Sequence, residues 1–160
     1  MPPETARIIA IGTAVPNHDI HDAFIDWAAT RLNDQSKTAL FRRMAGRSGI
    51  KHRFSVLPKG ADGGSPIATG GFYAGGVLPP TSARMELYAE YAPDLAIEAI
   101  EALAAQTDLT GITHIVVASC TGFIAPGIDQ IIASRMGLSD SVERRLERFR
   151  LWLMAQLTRY

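Results

Sequence analysis

A chain of 160 residues, 47% apolar and 20% charged, carries enough hydrophobic material to bury a core, which excludes disorder over its full length and makes one domain the default. Its 16 basic and 16 acidic side chains cancel, so there is no global charge footprint for DNA, RNA or an anionic membrane, and a phosphate-bearing ligand has to be held locally. The single cysteine, Cys120, excludes an intramolecular disulfide and a multi-cysteine metal site.

Residues 7–11 (RIIAI) form a short β-branched run that stops at Gly12, Thr13 and Pro16, the pattern of a buried strand entering a turn. Asp19 can cap a following helix in which Ile20, Phe24, Trp27 and Ala28 recur at helical spacing and Asn33 with Asp34 closes the segment. Residues 36–45 predict a second helix, with Leu40, Phe41 and Met44 apolar and Arg42, Arg43 and Arg47 around or just beyond it, ended by Gly46 and Gly49. Residues 50–57 (IKHRFSVL) alternate as a strand does. The next stretch, 58–80, holds seven glycines and four prolines with no apolar period, and is a long loop, either a lid or surface decoration.

Residues 84–106 are strong helix formers, with Pro93 kinking one helix or opening a second, and Leu95, Ala99 and Leu103 giving a buried stripe. Residues 114–119 (HIVVAS) read as a strand covered on both faces, followed by a turn of small residues and a helix over 128–136. The segment 143–160 (ERRLERFRLWLMAQLTRY) changes character. Leu146, Phe149, Leu153 and Leu157 fall on one helical face among five arginines, so it reads as a basic amphipathic helix, either docked on its own domain or facing a partner or membrane surface.

Cys120 follows a buried strand directly, a place from which side chains enter pockets, and is either a nucleophile or an inert buried thiol. His114 lies six residues away along the same extended strand, too far to serve it as a base, and the remaining histidines, His18, His21 and His52, share no motif with it. His18 and His21 stand beside Asp19 and Asp22 without the second cluster a metal site requires, so no metal is expected. GGFYAGG is neither a Walker A motif nor a dinucleotide fingerprint. The basic cluster Arg42, Arg43, Arg47, Lys51 and Arg53 is either a solvated face or a phosphate contact, since guanidinium forks match phosphate oxygens.

Three segments in order resemble the N-terminal half of a chalcone synthase-like type III polyketide synthase of the bacterial type, a thiolase-fold condensing enzyme: ARIIAIGTAVPNHDI at 6–20, FRRMAGRSGIKHRF at 41–54, and GITHIVVASCTGFIAPGIDQIIASRMGL at 111–138. The resemblance implies an α/β chain, the N-terminal part of a thiolase-like fold with a mixed sheet and covering helices, over 6–142, with 143–160 a basic tail outside the family pattern. It also implies a homodimeric acyltransferase of polyketide biosynthesis that condenses an acyl-CoA starter with malonyl-CoA; the single cysteine, the balanced charge and the lack of an apolar run of about 18 residues add the expectation of a cytoplasmic protein with no nucleic-acid partner and no membrane span. By position, Arg43 and Arg47 fall where the family contacts coenzyme A phosphates, and Leu40 replaces a third basic residue whose role moves to Lys37 or is lost. Cys120 and Thr121 fall on substrate-cavity positions, and Ala125 on a dimer-interface position where plant members carry methionine. Coenzyme A thioesters are substrates, and no covalently bound cofactor is implied.

The family's nucleophilic cysteine, histidine and asparagine have no counterparts here, so no catalytic residue is assigned and the chain alone is expected to be inactive. The arginine-rich change after Arg144 gives the further expectation of a truncated product whose reading frame was lost there. Two other outcomes stay open: a non-catalytic coenzyme A-binding or dimerisation fragment, and a stranded half-domain whose open sheet edges and bare apolar face lead to aggregation.

Overall fold

The computed structural model describes residues 5–60, 65–68, 70–74, 78–119 and 121–148. By contact they fall into two compact units, one within 15–83 and one within 1–14 and 84–160.

In the 15–83 unit, β1 (His18–Asp19) pairs antiparallel with β2 (Phe54–Ser55), His18 opposite Ser55 and Asp19 opposite Phe54. Between them run α1 (His21–Thr30) and α2 (Gln35–Arg47). Asp19 stands before α1 and accepts the His21 N–H at 3.0 Å, satisfying one of the donors that a helix start leaves open. Asp34 caps α2 from an extended backbone, its Oδ1 accepting the Lys37 N–H at 2.9 Å. The half-buried residues of α2 are Thr38, Phe41 and Ala45, a three-and-four spacing that fixes one inward stripe. That stripe meets α1, where the Thr38 hydroxyl donates to the Ala29 carbonyl at 3.5 Å and Arg42 donates to Asp26 at 2.8 Å.

The second helix is longer than its predicted 36–45, because Gly46 is tolerated inside it and the chain reverses only at Gly49, at φ +73°. The strand expected over 50–57 shrinks to the two residues of β2, since among the described residues only β1 offers it a ladder. Aromatic packing gathers the described part of the 58–80 loop, which forms no helix or strand: Phe72 meets Tyr73 edge-on, and Tyr73 lies 6.1 Å from the Trp27 ring of α1.

In the other unit, α3 (Thr81–Ala104) is one helix that carries a buried Pro93 within it, so Pro93 opens no second helix. β3 (His114–Ser119) pairs in parallel with β4 (Glu143–Arg148), His114 opposite Glu143 through Ser119 opposite Arg148. The crossover between them carries α4 (Ile128–Arg135), as a parallel pair requires. Ile128, Ile132 and Ala133 of α4 are buried, and Asp129 reaches Arg144 of β4 at 3.9 Å.

Three expectations fail in this unit. Residues 7–11 are not a strand: Ile8 and Ile9 are 83% and 85% exposed. A strand exists only where its backbone groups find a ladder, and here the Ile11 carbonyl accepts from the Gln106 side chain at 2.8 Å instead. The segment rests on α3 at Gly12, where a Cβ would overlap the Ala99 carbonyl oxygen and Leu103. β3 is not covered on both faces, because Ile115, Val117 and Ser119 are half-buried while His114, Val116 and Ala118 face solvent. Residues 143–148 are strand rather than helix, their backbone groups being taken up by β3. The rest of that expected helix, 149–160, lies outside the described residues.

Candidate functional site

The inward stripe of α2 dictates what its opposite face presents. With Thr38, Phe41 and Ala45 turned to α1, a 3.6-residue helix places Arg43 and Arg47 on the far side, one turn apart, with Leu40 one turn before Arg43 and Met44 at the edge. All four are exposed. α2 carries Lys37, Arg42, Arg43 and Arg47 and no carboxylate. Arg42 is engaged by Asp26, and Lys37 reaches Asp34 only at 3.9 Å with its side chain 72% exposed. Among the described residues Arg43 and Arg47 make no ion pair. Two guanidinium forks one helical turn apart, with Cβ atoms about 6 Å from each other, can hold the oxygens of one phosphate or carboxylate pair. Lying in the C-terminal half of α2, they get no help from the helix dipole, so anion binding rests on the forks themselves.

Of the rest of the predicted basic cluster, Arg42 and Arg53 have other work. Asp19 accepts the Arg53 N–H at 3.0 Å and the His52 Nδ1–H at 2.6 Å in addition to the His21 N–H. The His52 bond above all, then the Arg53 and His21 backbone bonds, hold its carboxyl down at about 2. The Arg53 guanidinium contacts His21 Nδ1 and lies over the Phe24 ring. Arg53 and His52 thus tie β2 to the start of α1, and of the predicted cluster Arg43, Arg47 and the exposed Lys51 are left to face a ligand.

In the unit of 1–14 and 84–160, α3, β3 and α4 enclose an open cavity of about 620 Å³. The predicted stripe Leu95, Ala99 and Leu103 lines it, half-buried, opposite Ile115 and Val117. Its polar feature is the Tyr88 hydroxyl, which donates to Ser119 Oγ at 3.0 Å, with Gly122 packed against the Tyr88 ring. Neither Tyr88 nor Ser119 stands out in the sequence; the nearest signal is that Ser119 ends the apolar run. Of the residues expected at a substrate cavity, Thr121 is exposed and does not line this space, and Cys120 lies outside the described residues. Ala125, expected at a dimer interface, is exposed and joined to Pro126 by a cis peptide bond. Among the described residues no three side chains of the His, Cys, Asp and Glu types are grouped to hold a metal, and no helix is long and apolar enough to cross a membrane.

Comparison with known proteins is consistent in family and in extent. A family model for the N-terminal domain of chalcone and stilbene synthases matches residues 3–152. Bisdemethoxycurcumin synthase of rice, Oryza sativa subsp. japonica, is 29% identical over 147 residues, which is 88% of this chain and 35% of that enzyme. A fungal type III polyketide synthase, ORAS, superposes with a TM-score of 0.67 at 25% identity over 88% of this chain and 36% of its own. CsyB, solved in complex with CoA-SH, gives a TM-score of 0.66 at 23% identity over the same shares. The chain therefore spans little more than a third of the length of these relatives, and its mixed α/β architecture is part of their thiolase-like fold. With three quarters or more of its residues inside that match, the chain belongs to the chalcone and stilbene synthase family of type III polyketide synthases, as an N-terminal domain.

Proposed function

We propose that this chain supplies the coenzyme A-phosphate contact of a polyketide-forming acyltransferase that joins an acyl-CoA starter to malonyl-CoA, and that Arg43 and Arg47 make that contact. The observation that carries the reading is the pair of exposed, unpaired guanidiniums one turn apart on a helix without a carboxylate. CsyB, a structural relative, was solved with CoA-SH, which supports the ligand class. Lys37, on the same helix and loosely held, is the third cation for a ligand with several phosphates, in place of the basic residue that Leu40 substitutes. Cys120 and Thr121 belong to the substrate cavity and Ala125 to the contact with a second subunit, in a homodimer of the cytoplasm.

The only cysteine of these 160 residues is Cys120, and by family position it is not the nucleophile. These residues by themselves therefore bind a thioester and transfer no acyl group. The coverage of about a third of each relative favours the companion reading, a coenzyme A-binding or dimerisation module that acts with a catalytic part carrying the cysteine, histidine and asparagine.

Calorimetric titration of coenzyme A into the purified 160-residue chain tests the contact. Binding is expected, weakened about tenfold by Arg43→Ala and by Arg47→Ala and weakened further as salt rises, since charged hydrogen bonds exposed to solvent are screened. Dephospho-coenzyme A binding as tightly as coenzyme A would remove the 3′-phosphate from the reading. Absence of any coenzyme A binding by a folded chain would refute it.

A further inference from the structure

The outward face of α2 holds more than a phosphate contact needs. Leu40 is 48% and Met44 63% exposed, side by side with Arg43 and Arg47 on the helix face turned away from α1. Arginine forks facing solvent explain themselves. An adjoining pair of large apolar side chains in water, four residues apart and so in one patch, does not. Phosphate oxygens would satisfy the guanidiniums and leave Leu40 and Met44 wet. A surface that offers carboxylates and apolar side chains together would satisfy all four.

From this we infer that α2 is also a docking helix for a protein partner that presents an acidic amphipathic helix. Carboxylates one turn apart on the partner pair with Arg43 and Arg47, and the apolar stripe beside them covers Met44 and, one turn earlier, Leu40. Charge complementarity selects this occupant. α2 has four cations and no anion, and the carboxylates that reach it, Asp26 and Asp34, meet Arg42 and Lys37 and leave Arg43 and Arg47 without an ion pair among the described residues. A second copy of the same basic face is repelled, and a purely apolar partner leaves both guanidiniums without an acceptor. Methionine is suited to such a place, because its unbranched, polarisable side chain adapts to the partner it meets.

The probe is a fluorescein-labelled synthetic peptide helix with glutamate and leucine aligned on one face, with a scrambled peptide of equal composition as its control, titrated by anisotropy into the full 160-residue chain. The aligned peptide is expected to bind at least about tenfold more tightly than the scrambled one, and Leu40→Ser with Met44→Ser to remove that advantage. Arg43→Glu, which changes charge and not apolar surface, is expected to weaken both peptides. All these positions are exposed, and circular dichroism of each variant verifies its helices. Equal binding of the two peptides, or no effect of the Leu40 and Met44 substitutions, overturns the inference, as does absence of peptide binding by the folded chain. Coenzyme A is titrated into the same variants separately: the serine pair is expected to leave its affinity within about twofold, so loss of either ligand is read without the other.

Discussion

At the scale of single residues, Asp19 shows how one carboxylate serves as a joint. It accepts three hydrogen bonds, from the His52 ring and from the His21 and Arg53 backbones, and so connects β1, β2 and the first turn of α1. These bonds favour its charged form, which lowers its pKa from the ordinary 3.8 to about 2. Between those values the unfolded chain binds more protons than the folded one. The stabilisation is thus fully present above pH 3.8 and is lost as pH falls through 2. Urea unfolding followed by circular dichroism is expected to find Asp19→Asn less stable than the parent near neutral pH, with the gap closing in acid below the folded pKa. A gap that stays constant across that acid range would mean that Asp19 acts by shape alone. The place of Asp19 at the start of α1 was legible in the sequence, from its position before an apolar-periodic run, though the N-cap residue is Ile20 and Asp19 reaches the His21 N–H from one residue earlier. Its bonds to His52 and Arg53 were not legible, because partners more than thirty residues away are brought by the β1–β2 pairing and by nothing local.

At the scale of elements, α2 was legible because its information is local. Its cap and inward face were not: Asp34, read as the close of α1, is the cap of α2, and Leu40 and Met44 are exposed while Thr38, Phe41 and Ala45 form the stripe. The cap is open to a direct test. Asp34→Ala removes the acceptor for the Lys37 N–H and is expected to cost about 1 kcal/mol, measured as a lowered midpoint in thermal unfolding. Coenzyme A affinity should change little if the first turn alone frays, since Arg43 and Arg47 lie in the opposite half of the helix. The segment 143–148 is the contrary case. Its leucine and arginine pattern satisfies a helical period, yet it forms β4, because six consecutive residues of β3 offer ladder partners and a ladder outweighs a weak propensity. The same reasoning explains residues 7–11, whose β-branched run has strand propensity and no ladder among the described residues.

At the scale of the whole molecule, the chain exposes apolar surface that a complete fold would cover. Ile8, Ile9 and Ile11 on one segment and Val116 on the open face of β3 are in water, and about 620 Å³ between α3, β3 and α4 is unfilled. Unpaired edges and bare apolar side chains of this kind template self-association. Light scattering after size exclusion is expected to find the isolated chain in concentration-dependent oligomers that bind an apolar dye, with Ile9→Lys together with Val116→Lys shifting it toward monomer. A strictly monomeric parent that ignores the dye would show these faces to be covered in solution.

The sequence by itself determined the family, through three ordered motifs, and the presence of the helices α1, α2, α3 and α4, whose signals are local. The pair Arg43 and Arg47 came from the family resemblance, and its place on the outward face of α2 came from the packing of Thr38, Phe41 and Ala45. The tertiary structure alone decided which apolar runs become strands, which cations remain available to a ligand, and that Tyr88 meets Ser119 across the cavity. The physical reason is the same in each case. A helix satisfies its backbone from within four residues, whereas a strand, an ion pair or a cavity wall needs a partner that sequence distance does not specify.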